Sequence, residues 1–182
     1  MKKENLSLLK ICQIGFFTAL IAVLTQLSIP LPLGVPLTLQ TLIIPIAGII
    51  LGPKYGFISV FIYLLIGALG MPVFSNFGAG FGHIIGPTGG FLVSFPFMAF
   101  MAGWGESKQN NGFLFFSLSL GSAVNFLVGM SWFMVVTGAN LPTAFTATVL
   151  PFIPTGILSI ILASILGRTI KTALLRANVS LT

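Results

Sequence analysis

Acidic side chains are almost missing from this sequence: aspartate does not occur, and Glu4 and Glu106 are the only glutamates. Paired-carboxylate acid/base chemistry and carboxylate-held metal sites therefore have no candidates. One histidine, His83, and one cysteine, Cys12, make neither a metal site nor an intramolecular disulfide, so no metal and no cofactor is expected. Basic residues are scarce too, eight in 182, and they stand singly or in pairs rather than as a patch. That spacing argues against a nucleic-acid partner. The segment Gly78-Ala-Gly80-Phe-Gly82 has the glycines of a phosphate loop without the following Lys-Ser or Lys-Thr. No apolar run carries an ionisable group of the kind that proton-coupled carriers and pumps place inside the membrane.

Apolar sequence fills the space that charge leaves. Hydrophobic residues make up 56% of the chain and the mean hydropathy is +1.10. A soluble protein cannot cover itself with so few charges. The expected class is all-α, a polytopic membrane protein built as a six-helix bundle in which residues 1–182 form one integral membrane domain. The spans read as residues 11–29, 37–51, 55–69, 89–104, 113–137 and 144–166. The first run is longer than the apolar core of a signal peptide and lacks a small-residue cleavage pattern, so it reads as a retained helix. Three prolines between Pro30 and Pro36, and the Gly52-Pro53-Lys54 break, end the first two spans. Six spans put Lys2, Lys3, Lys10, Lys54, Lys108, Arg168, Lys171 and Arg176 on one side of the membrane, and leave the first, third and fifth connections without a Lys or Arg. By the positive-inside rule both termini are cytoplasmic.

The stretch from Gly70 to Phe91 breaks the apolar pattern. Its seven glycines and two prolines suit a folded loop, not a helix interior. Bare backbone there can approach a ligand, Phe74, Phe77 and Phe91 offer walls, and Asn76, His83 and Thr88 offer polar handles. That is the composition of a small-molecule site, and equally of a connecting loop with interfacial aromatics. In the first span Gly15 pairs with Ala19, and Thr18 with Ala22, at a spacing of four that flattens a helix face. Such a face serves a partner helix or ordinary internal packing. Gln26, Gln40 and Asn125 suit either a ligand or a neighbouring helix.

Taken together, Gln26-Leu-Ser-Ile-Pro30, Val35-Pro-Leu-Thr-Leu-Gln-Thr41, Leu51-Gly-Pro-Lys-Tyr-Gly56, Tyr63 with Gly67 and Gly70, Met71-Pro-Val-Phe74, Gly86-Pro-Thr-Gly-Gly-Phe91 and Pro151-Phe-Ile-Pro154 resemble the BioY family in order and spacing, from about residue 15 to residue 165. The resemblance implies an S component of an energy-coupling factor (ECF) transporter in the plasma membrane. Such a subunit captures biotin outside and hydrolyses no ATP, relying on a transmembrane coupling protein and two cytosolic ATPases. It makes Gly15, Ala19 and Ala22 candidates for the coupling contact and Pro30 to Thr41 a lid. With it, the expected binding set is Gln40, Phe74, Asn76, Phe77, His83, Thr88, Phe91, Ser94, Asn125, Gly156 and Ser159. One departure stands out: the arginine, aspartate and lysine that the family pattern often carries are replaced here by Leu92, Gly156 and Ser159. The ligand is then biotin held by neutral groups, or another ring-bearing acid such as lipoate. A small-solute channel and a membrane scaffold remain the readings from other classes.

Overall fold

A computed structural model describes residues 8–31 and 35–177; Lys2, Lys3 and Glu4 lie outside them. Seven α-helices account for most of the described residues: α1 (Leu8–Thr25), α2 (Gln40–Ala68), α3 (Phe81–Ile85), α4 (Gly89–Ser107), α5 (Asn111–Thr137), α6 (Leu141–Thr148) and α7 (Phe152–Arg176). Two short strands, β1 (Ser28–Ile29) and β2 (Leu37–Thr38), pair antiparallel between α1 and α2. Helices α1, α2, α5 and α7 are each long and apolar enough to cross a membrane.

Helix α2 is the centre of the bundle, packed most extensively on α4 and also on α1 and α7, while α4 in turn packs on α5. It is not straight. Gly52 sits at φ 79°, ψ 172°, a conformation open to glycine and strained for other residues, and Pro53 prevents the helix from running on through it. The chain folds back there: a methyl group on Gly56 would stand 2.7 Å from the Cα of Gly48, and Gln40 at the start of the element hydrogen-bonds Tyr63 near its end. Residues 40–51 and 53–68 are thus two arms of a helical hairpin, and they correspond to the two spans expected at 37–51 and 55–69.

Elsewhere the boundaries move. The run expected as one span over 144–166 is divided between α6 and α7, with Pro151 capping α7. Within the glycine-rich stretch, expected as loop, the chain makes a 3-10 turn over Ser75–Phe77 and the five-residue α3. Side-chain oxygens of Asn110 and Asn140 accept from the backbone N–H of Phe113 and Thr143, capping α5 and α6.

The two ends of the bundle differ. Lys10 donates to the Tyr55 hydroxyl at 3.3 Å, and Glu106 receives Arg168 at 2.7 Å and Lys171 at 3.5 Å. Charges from α1, α2, α4 and α7 therefore meet at the end that carries the Gly52 turn. The glycine-rich stretch and the β-hairpin close the opposite end. Between them lies one apolar cluster that includes Ile21, Ile44, Val60, Tyr63, Phe95 and Ala99. The polar groups that enter it are paired: Thr18 donates to the Ser59 carbonyl at 3.0 Å and so ties α1 to α2.

Candidate functional site

Beneath the β-hairpin is a cavity of about 40 Å³, set within about 540 Å³ of space that opens outward. Its walls come from five parts of the chain. Val35, Pro36, Thr38, Gln40 and Thr41 descend from the hairpin into α2, and Phe74, Ser75, His83 and Thr88 come from the glycine-rich stretch. Phe91, Leu92 and Phe95 come from α4, and Asn125, Phe126 and Phe152 from α5 and α7. None of these fifteen side chains is Asp, Glu, Lys or Arg. A shallower space of about 350 Å³ adjoins it, shares Pro36, Ser75, His83 and Thr88, and adds Asn76 and the backbone of Gly78, Gly82 and Gly86. It forms the mouth.

Two aromatic rings are seated on glycines. Phe74, fully buried, lies over Gly67, and the Phe91 ring lies over Gly129; a methyl group at either glycine would run into the ring. Phe74 also meets Tyr63 edge-on, with centroids 5.6 Å apart, and stacks on His83 at 5.9 Å. The pocket floor is therefore set by packing between α2, α4 and α5.

Hydrogen bonds decide what the polar groups have left to offer. Gln40 donates through Nε2 to the Tyr63 hydroxyl at 2.9 Å and accepts through Oε1 from Thr38 at 2.9 Å. The same hydroxyl lies 3.1 Å from the Val73 carbonyl, to which it donates, and 3.5 Å from Thr25 Oγ1. Gln40 is thus a strut between hairpin, core and loop. Asn125 differs. Its Nδ2 donates to the Phe91 carbonyl at 3.0 Å and to Ser94 Oγ at 2.7 Å, while Ser94 itself donates back to Gly90 and Phe91 carbonyls. Carbonyls only accept, so this arrangement fixes the amide's orientation. Both amide hydrogens are used, and the Asn125 carbonyl oxygen is the group left for a ligand, as an acceptor for N–H or O–H. His83 Nδ1 lies 3.2 Å from the Ala79 carbonyl and is the donor of that pair, which leaves Nε2 as the other nitrogen.

Of the residues expected at the site, the structure brings Gln40, Phe74, His83, Thr88, Phe91 and Asn125 into one wall. Ser94 stands behind Asn125 and does not line the cavity. Asn76 lines the mouth, whereas Phe77 is exposed and lines neither space; both adopt left-handed backbone, φ 56° and 57°. There Ser28 Oγ donates to Asn76 Oδ1 at 2.8 Å and the Phe77 N–H donates to Gln26 Oε1 at 2.9 Å. These two bonds join the hairpin to the glycine-rich stretch. A methyl group on Gly156 would meet the Phe126 ring at 3.4 Å, and Ser159 Oγ lies 3.3 Å from Thr41 Oγ1; both stand one layer behind wall residues. Leu92, the third position where charge was expected, is buried in the wall itself. Phe95 and Phe126 escape sequence reasoning, since nothing local separates them from other core aromatics; Phe152 falls inside the Pro151-Phe-Ile-Pro154 segment.

The small-residue face of α1 also resolves. Gly15 and Ala19 are exposed and Ala22 is half-buried, whereas Thr18 turns inward. The face is not consumed by packing within the bundle.

An apolar helical bundle with long membrane-crossing helices and a neutral, aromatic-walled pocket at one end has the build of a membrane protein with room for a small molecule. The chain belongs to the BioY family, whose model matches residues 1–176. It is 39% identical over 171 residues to the probable biotin transporter BioY of Pyrococcus horikoshii, covering 94% of this chain and 98% of that one. It is 34% identical over 158 residues to the biotin transporter BioY of Thermotoga maritima, covering 86% and 92%. Among solved structures it resembles the S-component for biotin from an ECF-type ABC transporter, with a TM-score of 0.83 at 30% identity over 94% of this chain and 95% of the other.

Proposed function

We propose that this protein is the substrate-binding S component of an ECF-type vitamin uptake transporter in the plasma membrane, and that it captures biotin. The observation that carries this reading is the likeness to the S-component for biotin, which extends over nearly the whole of both chains. The protein is a transporter subunit and not an enzyme, in keeping with relatives named as transporters. The finer reading is a single membrane unit of six spans, α1, the two arms of α2, α4, α5 and α7, with both termini cytoplasmic and the pocket facing out. The gathering of Lys10, Lys54, Arg168 and Lys171 at the end opposite the pocket supports that orientation. Energy comes from a separate coupling protein and two cytosolic ATPases, and the exposed Gly15 and Ala19, with Ala22, are where the coupling protein docks. Gln40, Phe74, His83, Thr88, Phe91 and Asn125 form the binding wall, with Asn76 at the mouth, the exposed Phe77 next to it in the chain, and Ser94, Gly156 and Ser159 behind the wall.

The free acceptor on Asn125 favours biotin, whose fused ring carries two ureido N–H groups, over lipoate, which has none. The neutral wall, with Leu92 where a cation was expected, favours the second reading, a more apolar ring acid. Mass spectrometry of small molecules released from unsupplemented, purified protein, followed by titration with biotin and lipoate, separates the two. Stoichiometric biotin supports the first; another ligand that biotin cannot displace replaces it with the second. A channel is tested by reconstituting the chain alone, which carries no net flux if it is an S component. A scaffold predicts no ligand-induced rise in melting temperature.

A further inference from the structure

Among the described residues that line the cavity and its mouth, His83 is the one whose side chain can take a charge. It lines both spaces, whereas Asn125 lines the cavity alone. His83 therefore stands at the border between them. Lys10, Glu106, Arg168 and Lys171 meet at the other end of the bundle. Tyr63, which packs on Phe74, lines neither space, and its hydroxyl is engaged by Gln40 and the Val73 carbonyl.

The imidazole is held in one orientation. Nδ1 lies 3.2 Å from the Ala79 carbonyl, and a carbonyl only accepts, so the neutral ring keeps its proton on Nδ1 and a lone pair on Nε2. Nε2 sits over the bare backbone of Gly78, where a methyl group would run into it. The ring also stacks on Phe74 with centroids 5.9 Å apart, and an aromatic face at that separation attracts a cation.

This arrangement gives Nε2 two characters. In the neutral ring it is an acceptor, and a carboxylate, itself an acceptor, has no use for it. In the charged ring it is a donor of a charge-assisted hydrogen bond, while the bond from Nδ1 to Ala79 stays as it was. A carboxylate at the border and a proton on Nε2 thus favour each other.

We infer that His83 receives the ligand's carboxylate as an imidazolium, so that capture of the acid takes up a proton at Nε2. The inference rests on the reading of this pocket as a vitamin site, and it supplies the cation that Leu92, Gly156 and Ser159 do not. Biotin suits the order of the two groups. Its ureido N–H groups meet the Asn125 acceptor in the cavity, and the carboxylate at the far end of its chain meets His83 at the border.

The test is calorimetry on the full-length protein in detergent, titrated with biotin and with its uncharged primary amide at about pH 5.5 and about pH 8. Imidazole changes charge across that window, while an aliphatic carboxylic acid stays ionised. Wild type is expected to bind biotin about tenfold more tightly at the lower pH and the amide equally at both. At about pH 7, buffers of different ionisation enthalpy count the proton, and net uptake is expected with biotin and none with the amide. His83→Gln, neutral throughout, loses both the gain at low pH and the uptake. Biotin affinity that is level across the window overturns the inference and leaves the vitamin reading standing, as does a gain that the amide shares or that His83→Gln keeps. Absence of biotin binding at both pH values overturns the vitamin reading, and the inference with it.

Discussion

Gln40 Nε2 donates to the Tyr63 hydroxyl at 2.9 Å, joining the first residue of the α2 hairpin to a fully buried ring on its returning arm. Through Thr38 and Val73 the same pair reaches both segments that close the pocket. Tyr63→Phe leaves the ring in place and strands the Gln40 amide, which costs about 1–3 kcal/mol for a buried group without its partner. Thermal unfolding in detergent is expected to shift down accordingly. A melting temperature equal to wild type would mean that the hydroxyl is dispensable to the closure.

Asn125 presents an acceptor because Phe91 and Ser94 hold both of its amide hydrogens. Asn125→Leu removes that acceptor while keeping the volume, and biotin affinity by calorimetry is expected to fall about tenfold or more. Lipoate, with no N–H to offer, loses much less. Equal losses for the two ligands would remove Asn125 from any role in choosing between them.

Leu92 occupies a wall position where the resemblance implies a cation. An arginine there is buried without a partner until a carboxylate arrives, so Leu92→Arg is expected to lower the melting temperature of the free protein, by about 2 kcal/mol or more of stability. Added biotin restores more than it does for wild type, whereas an uncharged amide of biotin does not. If the acid and its amide stabilise the variant equally, the carboxylate does not lie near residue 92.

Ala19 is exposed on α1, one turn from exposed Gly15. Ala19→Trp puts a large ring on that face without entering the core. Biotin binding is expected to stay within about twofold of wild type, while uptake in cells that supply the coupling protein and ATPases is lost. Undiminished uptake would move the docking surface elsewhere.

Much of this was legible from punctuation. Gly52-Pro53 marked a break between apolar runs, and the structure turns the chain back at that glycine. The glycine-rich stretch held His83, Thr88 and Phe74, which do reach the wall, since a segment with few large side chains has to lie against what supplies them. What stayed hidden depends on facing residues far apart in sequence. Phe126 and Phe95 read as core aromatics, and only the approach of α4 and α5 makes them wall. Ser94 looked like a ligand group, but the i−4 and i−3 carbonyls of its own helix, together with Asn125, take up its hydroxyl. Asn76 and Phe77 sit in the stretch that was singled out, yet at a left-handed turn Asn76 lines only the mouth and Phe77 is exposed, a backbone choice that sequence spacing does not encode. The six expected spans and the seven α-helices of the described residues differ because α2 holds two of those spans, one expected span is split at residues 149–151, and α3 lies in the stretch expected as loop.

The hairpin is held to the glycine-rich stretch by neutral groups, Ser28 to Asn76 and Phe77 to Gln26. Each such bond contributes roughly 0.5–1.5 kcal/mol, so these two bonds make a light closure. Because no ion pair takes part in it, salt in the surroundings has no charge to screen at the seam that keeps the pocket covered.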